Sequence, residues 1–170
     1  MAQSTGVSQR TSPVPHPLDI VEKLVEIQDW MFERRGDDEI AVQVPGMWCE
    51  YSLFFAWHSE LEAMHFSCAF DIRVPPDRRA CVNELIILIN NEMVWMGHFI
   101  LWSDDGLPMF RHAMSFRGTK GPTREQVEDI VDTAIRNCEG LFPAFQYVTW
   151  SGMTAKEAIA AAMINTEGEA

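Results

Sequence analysis

The segment 77–96 constrains the fold most, because its hydrophobic side chains extend around most of the circumference of a helix. Asp77 follows two prolines and is a favourable N-cap for this helix. The hydrophobic positions of the segment are Val82, Leu85, Ile86, Ile87, Leu88, Ile89, Met93, Val94 and Trp95. A helix of this kind is covered on more than one side. We therefore expect a sheet to cover one side, and either a C-terminal segment or a partner subunit to cover another.

Five segments have the polar–apolar alternation, or the turn boundaries, that are typical of antiparallel strands. The clearest is 61–74, where the apolar Phe66 and the polar His65 point to opposite sides of the strand. The predicted strands are residues 40–44, 48–57, 61–74, 98–102 and 108–116. The connections between neighbouring strands are short and polar, which predicts antiparallel hairpins.

Two long segments flanking the strands have helical signals. Residues 18–35 have apolar side chains every three or four positions, and Gly36 is a suitable C-cap. Thr123 and Gln126 form a capping box at the start of another helix. We expect this helix to end at Pro143, because proline cannot donate the helical hydrogen bond.

A second capping box, Thr154 with Glu157, precedes a short helix predicted over 158–163. The element order is therefore α-β-β-β-α-β-β-α plus a C-terminal helix. This order predicts an α+β fold in which helices pack on an antiparallel five-stranded sheet. The expected organisation is a disordered lead-in over 1–17, a single α+β domain over 18–164 and a frayed acidic tail over 165–170.

The charge of the chain excludes several classes of partner. The sequence has 13 Lys and Arg residues against 25 Asp and Glu residues, which gives a net charge of −12 at pH 7. A field of this sign repels nucleic-acid phosphates and anionic lipids, so we expect no nucleic acid and no membrane among the partners. Six Trp and ten Phe residues make the chain too apolar to be disordered.

The sequence has no signal for export, membrane insertion or a cofactor. Its cysteines, which include no C-x-x-C pair, are Cys49, Cys68, Cys81 and Cys138. We expect them to be buried free thiols in a cytoplasmic protein. No apolar run approaches the roughly 20 residues that span a bilayer. Motifs for nucleotides, zinc, calcium or a nucleophile elbow are also lacking, so we predict no cofactor, no metal and no catalytic residue.

Four polar residues are candidates for a site on the open face of the sheet, namely Asp71, His98, Arg111 and His112. Arg111 can reach Asp71 if their strands pair, and a simple salt bridge is the alternative interpretation. His98 and His112 are equally far from the turn at Asp105. A three-residue loop would place the two histidines directly opposite each other, whereas a two-residue loop would place them on opposite faces.

Short motifs follow one another along the second helix and the last hairpin. They are VNEL at 82–85, LIN at 88–90, GHF at 97–99, DG at 105–106 and FRH at 110–112. Their order resembles that of the YbjN-like family, over about residues 18–163. The resemblance implies a bacterial sensory transduction regulator with a fold like that of type III secretion chaperones, which are usually dimeric. It implies no enzymatic activity.

Two functions fit these features, and a structural subunit of a larger assembly is a third. The first is a non-enzymatic protein-binding module, chaperone-like or regulatory, that acts as a homodimer. Its candidate interface residues are Leu85, Ile86, Ile89, Met93 and Trp95. The second is a small-molecule- or metal-binding enzyme that uses the four polar candidates. The acidic charge, the apolar helix, the many aromatic residues and the family resemblance favour the first, with a polypeptide as partner.

Overall fold

Within residues 15–167, which the computed structural model describes, four α-helices pack on one antiparallel sheet of six strands. The helices are α1 (Asp19–Ile27), α2 (Arg79–Glu92), α3 (Arg124–Trp150) and α4 (Ala155–Glu167). The strands are β1 (Met31–Arg35), β2 (Glu39–Pro45), β3 (Glu50–His58), β4 (Ala63–Phe70), β5 (His98–Leu101) and β6 (Pro108–Ser115). The α+β class is thus confirmed, with six strands instead of five. Residues 1–14 of the predicted lead-in and residues 168–170 of the predicted tail lie outside the described residues.

The sheet has the strand order β1-β2-β3-β4-β6-β5, and all neighbouring strands are antiparallel. One face of it packs against the helices and forms a continuous hydrophobic core with them. Near the centre of this core, Phe70 of β4 lies 6.4, 5.6 and 5.0 Å, between ring centroids, from Phe99, Phe142 and Phe145. These contacts join the sheet to α3. None of the described helices is long and apolar enough to cross a membrane.

The helix predicted over 18–35 ends at Ile27. Asp29 adopts a left-handed conformation with φ of 55°, which ends the helical hydrogen bonding. The N–H of Trp30 then donates to the carbonyl oxygen of Val25 at 3.1 Å and closes the last turn. The second half of the prediction is therefore wrong.

The residues that follow form β1, the sixth strand, at the edge of the sheet. Phe32 misled the sequence interpretation because it fits both a helical spacing and the two-residue period of a strand. In the structure it points toward the helices, together with Arg34. Arg34 donates hydrogen bonds to the carboxylates of Asp19 and Glu22 in α1, at 3.0 and 2.8 Å. This bridge joins the new strand to the helix that precedes it.

α3 continues through Pro143 to Trp150, so the predicted break at Pro143 is wrong. Proline lacks the N–H that would donate to the carbonyl of Glu139, four residues earlier. That carbonyl oxygen instead accepts a hydrogen bond from the indole N–H of Trp48, at 3.1 Å. The Trp48 ring also stacks on Phe142, with ring centroids 6.0 Å apart. A loop residue thus satisfies the carbonyl that the proline leaves without its helical donor.

α2 is shorter than the predicted segment 77–96. Asp77 lies in a 3₁₀ turn, Pro76–Arg78, and forms no N-cap hydrogen bond. Near the other end, the side-chain amide of Asn90 accepts from the N–H of Phe99 at 2.7 Å and donates to its carbonyl at 2.9 Å. These two bonds hold the start of β5 against the last turn of the helix.

The second cover that the sequence predicts for this helix is α4 of the same chain. α4 packs against both α2 and α3 and buries Ala155, Ala158 and Ala162. Its predicted capping box is present, since Glu157 N–H donates to Thr154 Oγ1 and Thr154 N–H donates to the Glu157 carboxylate. The sequence leaves two possible covers for this helix, a C-terminal segment or a partner subunit. The structure contains the first of them.

Candidate functional site

The face of the sheet that points away from the helices is the candidate site. Alternate residues of the strands point to this face, and no described helix packs on it. Three of its central side chains, Ala41, Ser67 and Ala69, are small and only 7–8% exposed. Phe54 of β3 lies between Ala41 and Ser67 in the strand register, and it is 37% exposed. A large ring therefore projects from a surface of small side chains.

A concavity of about 390 Å³ opens beside Phe54. We name it the sheet hollow and define it by six of its lining residues, Glu50, Phe54, Asp71, Arg73, Trp102 and Asp105. Two aromatic rings, three carboxylates and one guanidinium thus line the same space. Ser52 and Ala69 of the two central strands also line it, and their side chains are small. Such a mixture of apolar and charged groups is typical of a binding surface.

The β5–β6 loop holds Trp102 and Asp105 at the edge of the sheet hollow. Gly106 adopts a left-handed φ of 67°, which favours glycine, and its N–H donates to the carbonyl oxygen of Trp102 at 2.9 Å. Arg79 of α2 donates to the carbonyl oxygen of Ser103 at 2.6 Å. The turn predicted at Asp105 and Gly106 is therefore present, and it is tied to the start of α2.

The structure does not gather the four polar candidates, Asp71, His98, Arg111 and His112. Asp71 lines the sheet hollow. Arg111 lies opposite Ser67 and His98, four residues of β4 away from Asp71, which is about 13 Å along a strand. His112 follows Arg111 on β6 and points to the helix side. Among residues 15–167, no three His, Cys, Asp or Glu side chains are grouped as metal ligands would be.

The register of the last hairpin decides the arrangement of the two histidines. β5 pairs with β6 so that His98 lies opposite Arg111 and Leu101 opposite Pro108, with residues 102–107 as the loop. An even number of loop residues places His98 and His112 on opposite faces, as a two-residue loop would. The alternative in which they face each other directly is wrong.

Arg111 contacts His65 of β4 instead of Asp71. Its Nε and Nη2 atoms lie 3.1 and 2.7 Å from Nε2 of His65, so this ring nitrogen accepts and the proton is on Nδ1. Burial lowers the pKa of His65 below its ordinary value of 6.5, and the charges of Arg111, His58, His98 and His112 lower it further. The folded protein therefore favours the neutral imidazole.

This lowered pKa predicts that the free energy of unfolding falls as the pH decreases below about 6.5. In that range the unfolded chain takes up a proton at His65 that the folded chain resists, so protonation favours unfolding. His65→Gln keeps an acceptor for Arg111 but does not titrate. We expect this variant to lose stability less steeply than the unmodified chain between pH 6.5 and pH 5, in urea denaturation followed by circular dichroism.

The matched control is Ser115→Gln, which introduces the same amide at an exposed position of β6 and removes no histidine. It should keep the pH dependence of the unmodified chain. An unchanged slope in His65→Gln would contradict the assignment of the proton uptake to this residue.

The five candidate interface residues divide into two groups. Leu85, Ile86 and Ile89 are at most 7% exposed and belong to the core of a single chain. The sheet and the other helices cover them, so they do not contact a partner directly. Met93 and Trp95 are exposed, Trp95 to 91%. An interface at this end of α2 stays a prediction, and these two residues are its accessible members.

The sequence interpretation missed Phe54 and Trp102 as members of a site. A signal for Phe54 is its neighbour Phe55, because adjacent residues of a strand point to opposite faces and only one of them can enter the core. Phe55 is 1% exposed and Phe54 is the ring that faces outward. Trp102 gives no comparable signal, because its position depends on the conformation of the β5–β6 loop.

Comparisons with known proteins agree with this fold. Residues 17–147 match the model of the YbjN family, which is described as "putative bacterial sensory transduction regulator". A crystal structure of YbjN from E. coli, described as "a putative transcription regulator", is similar with a TM-score of 0.50 and 16% sequence identity. The similarity covers 92% of this chain and 94% of that chain. No curated protein sequence matches the chain significantly.

Proposed function

Because the chain belongs to the YbjN family, we propose that it is a non-enzymatic regulatory protein that binds a polypeptide partner on the open face of its sheet. The observation that supports this proposal is the sheet hollow, with Phe54 and Trp102 exposed on a face that no described helix covers. Exposed aromatic residues beside a concavity are enriched at protein interfaces. The mode of binding is chaperone-like, in that an extended segment of the partner lies across the small side chains of β3 and β4.

The four polar candidates give little support to the alternative, an enzyme that binds a metal or a small molecule. Asp71 is remote from Arg111, and His112 points to the opposite face from His98. General acid–base chemistry requires such groups within hydrogen-bond reach of one substrate. The aromatic side chains of the sheet hollow therefore favour binding over catalysis.

Selection from a random-peptide library tests the binding of a polypeptide. The immobilised protein should enrich peptides that the Phe54→Ser variant fails to retain. Ile87→Ser is the matched control, since Ile87 is an exposed apolar residue on α2 and lies outside the sheet hollow. The proposal is supported if the control retains the enriched peptides and Phe54→Ser does not. Equal retention by Phe54→Ser, or no enrichment by the unmodified protein, overturns it.

We also propose that the protein acts as a homodimer in the cytoplasm. Trp95 and Met93 support the dimer, since both are exposed and Met93 lines a groove with Leu141 and Ile159. The four cysteines support the location, because all are free thiols although the sulfur atoms of Cys68 and Cys138 are 3.7 Å apart.

Light scattering after size exclusion, over a hundredfold dilution, tests the dimer. The unmodified protein and Trp150→Ser should have twice the mass of one chain, and Trp95→Ser should dissociate on dilution. Trp150 is the control because it is an exposed tryptophan at the end of another helix. A monomer at every concentration overturns the proposal of a dimer. A dimer that Trp95→Ser does not weaken overturns this interface.

A further inference from the structure

We propose that the sheet hollow binds the side chain of an arginine or lysine in a basic segment of the partner polypeptide. This inference rests on the proposed function and specifies the chemistry of its partner. It is carried by the charges, the aromatic rings and the shape of the sheet hollow.

The charge of the sheet hollow is complementary to a cation. Glu50, Asp71 and Asp105 are exposed, and among the described residues Arg73 is the one basic residue that lines the same space. Within the described part of the chain, none of the three carboxylates forms an ion pair or a side-chain hydrogen bond, with Arg73 or with any other group. They are therefore available to an incoming cation. The net charge of −12 adds a long-range attraction for a basic segment.

The aromatic rings favour a cation that is carried on an apolar stem. Phe54 and Trp102 are 37% and 42% exposed and line the sheet hollow with the carboxylates. An aromatic face attracts an ammonium or guanidinium group, and the guanidinium also stacks on the ring. The methylene groups of arginine and lysine can cover apolar surface while the charged end reaches the carboxylates. Both parts of such a side chain therefore find a matching partner.

The other kinds of side chain fit less well. An acidic side chain would face three carboxylates of its own sign. A purely apolar side chain would remove these carboxylates from water without giving them a partner, which is unfavourable. The volume of about 390 Å³ lies within the range of roughly 300–1,000 Å³ that is typical of pockets for small groups. The small side chains of Ser52 and Ala69 also line the sheet hollow, so the backbone of an extended segment has space to pass over them.

Isothermal titration with three probes tests this inference. The probes are a heptapeptide of glycine with one central arginine, the same peptide with citrulline, and arginine amide. Citrulline has nearly the shape of arginine but no charge. We expect the arginine peptide to bind at least tenfold more tightly than the citrulline peptide. The arginine peptide should also bind more tightly than arginine amide, because its backbone contacts the sheet. Equal affinity for arginine amide would identify a free cation, not a polypeptide, as the ligand. That result would overturn the proposal.

Two double variants separate local charge from net charge. The double variant Asp71→Asn with Asp105→Asn should bind the arginine peptide at least tenfold more weakly than the unmodified protein. Glu60→Gln with Asp132→Asn makes the same change in net charge at exposed positions outside the sheet hollow and should leave the affinity nearly unchanged. An equal loss in both double variants, or equal affinity for arginine and citrulline, overturns the inference.

The result is also distinguishable from a failure of the proposed function. The peptide library could give peptides that need Phe54 but have no basic residue, while the arginine peptide does not bind. The protein would then bind polypeptides, and only the assignment of a basic side chain to the sheet hollow would be wrong. If the library gives no peptide at all, the proposed function itself fails.

Discussion

Phe70→Ala should lower the free energy of unfolding by about 4 kcal/mol. Phe70 is 1% exposed at the end of β4, and its ring contacts Phe99 of β5 and two phenylalanines of α3. Truncation removes all three ring contacts at once. It leaves a cavity between the sheet and α3 that neither can fill without moving. Urea denaturation followed by tryptophan fluorescence measures the loss.

The matched control is Phe54→Ala, which removes the same side chain from the neighbouring strand. Phe54 points to the open face and is 37% exposed, so its truncation should cost about 1 kcal/mol or less. The ratio of the two losses tests the assignment of the two faces of the sheet. Losses of similar size would mean that the open face is covered in the folded protein.

This contrast also explains how much of the sheet the sequence predicts. The strand around Phe66 is predicted well, because large apolar residues alternate with small or polar ones along its sequence. In β3 the pair Phe54-Phe55 hides the alternation, since both residues are apolar and only one of them enters the core. The sequence therefore predicts the strand but not the aromatic residue on its open face.

The errors in the helices have a different cause, namely contacts that are distant in the sequence. Pro143 interrupts helical hydrogen bonding locally, and the indole of Trp48, from the loop before β3, donates to the carbonyl of Glu139. β1 likewise depends on pairing with β2 and on the bridge from Arg34 to α1. A local pattern contains neither contact, so tertiary structure overrides it.

The candidate site is less predictable than the fold, because it depends on register. His98, Arg111 and His112 lie on strands as predicted, whereas Asp71 lies just after the end of β4. The partner of Arg111 is His65 and not Asp71. A shift of one residue in the hairpin would have moved His98 to the face of His112. The sheet hollow also depends on strand register, because strands and a loop from separate parts of the chain form it.

Ala158→Glu should lower the free energy of unfolding by more than about 3 kcal/mol, because it places a charge without a partner in a buried position. Ala158 is 0% exposed and lies where α4 packs against its neighbouring helices. The larger side chain also has no space there, so we expect α4 to separate from α2 and α3. Hydrogen exchange of the α2 amides should accelerate in this variant, since α4 is the second cover of that helix.

Ala160→Glu is the matched control, because Ala160 is on the same helix and exposed to solvent. It introduces the same residue with the same small change in helix propensity, and it should change the stability by less than about 0.5 kcal/mol. If Ala158→Glu were as stable as this control, α4 would not be part of the core. The cover of α2 would then have to come from a second subunit, which is the alternative that the apolar circumference of this helix leaves open.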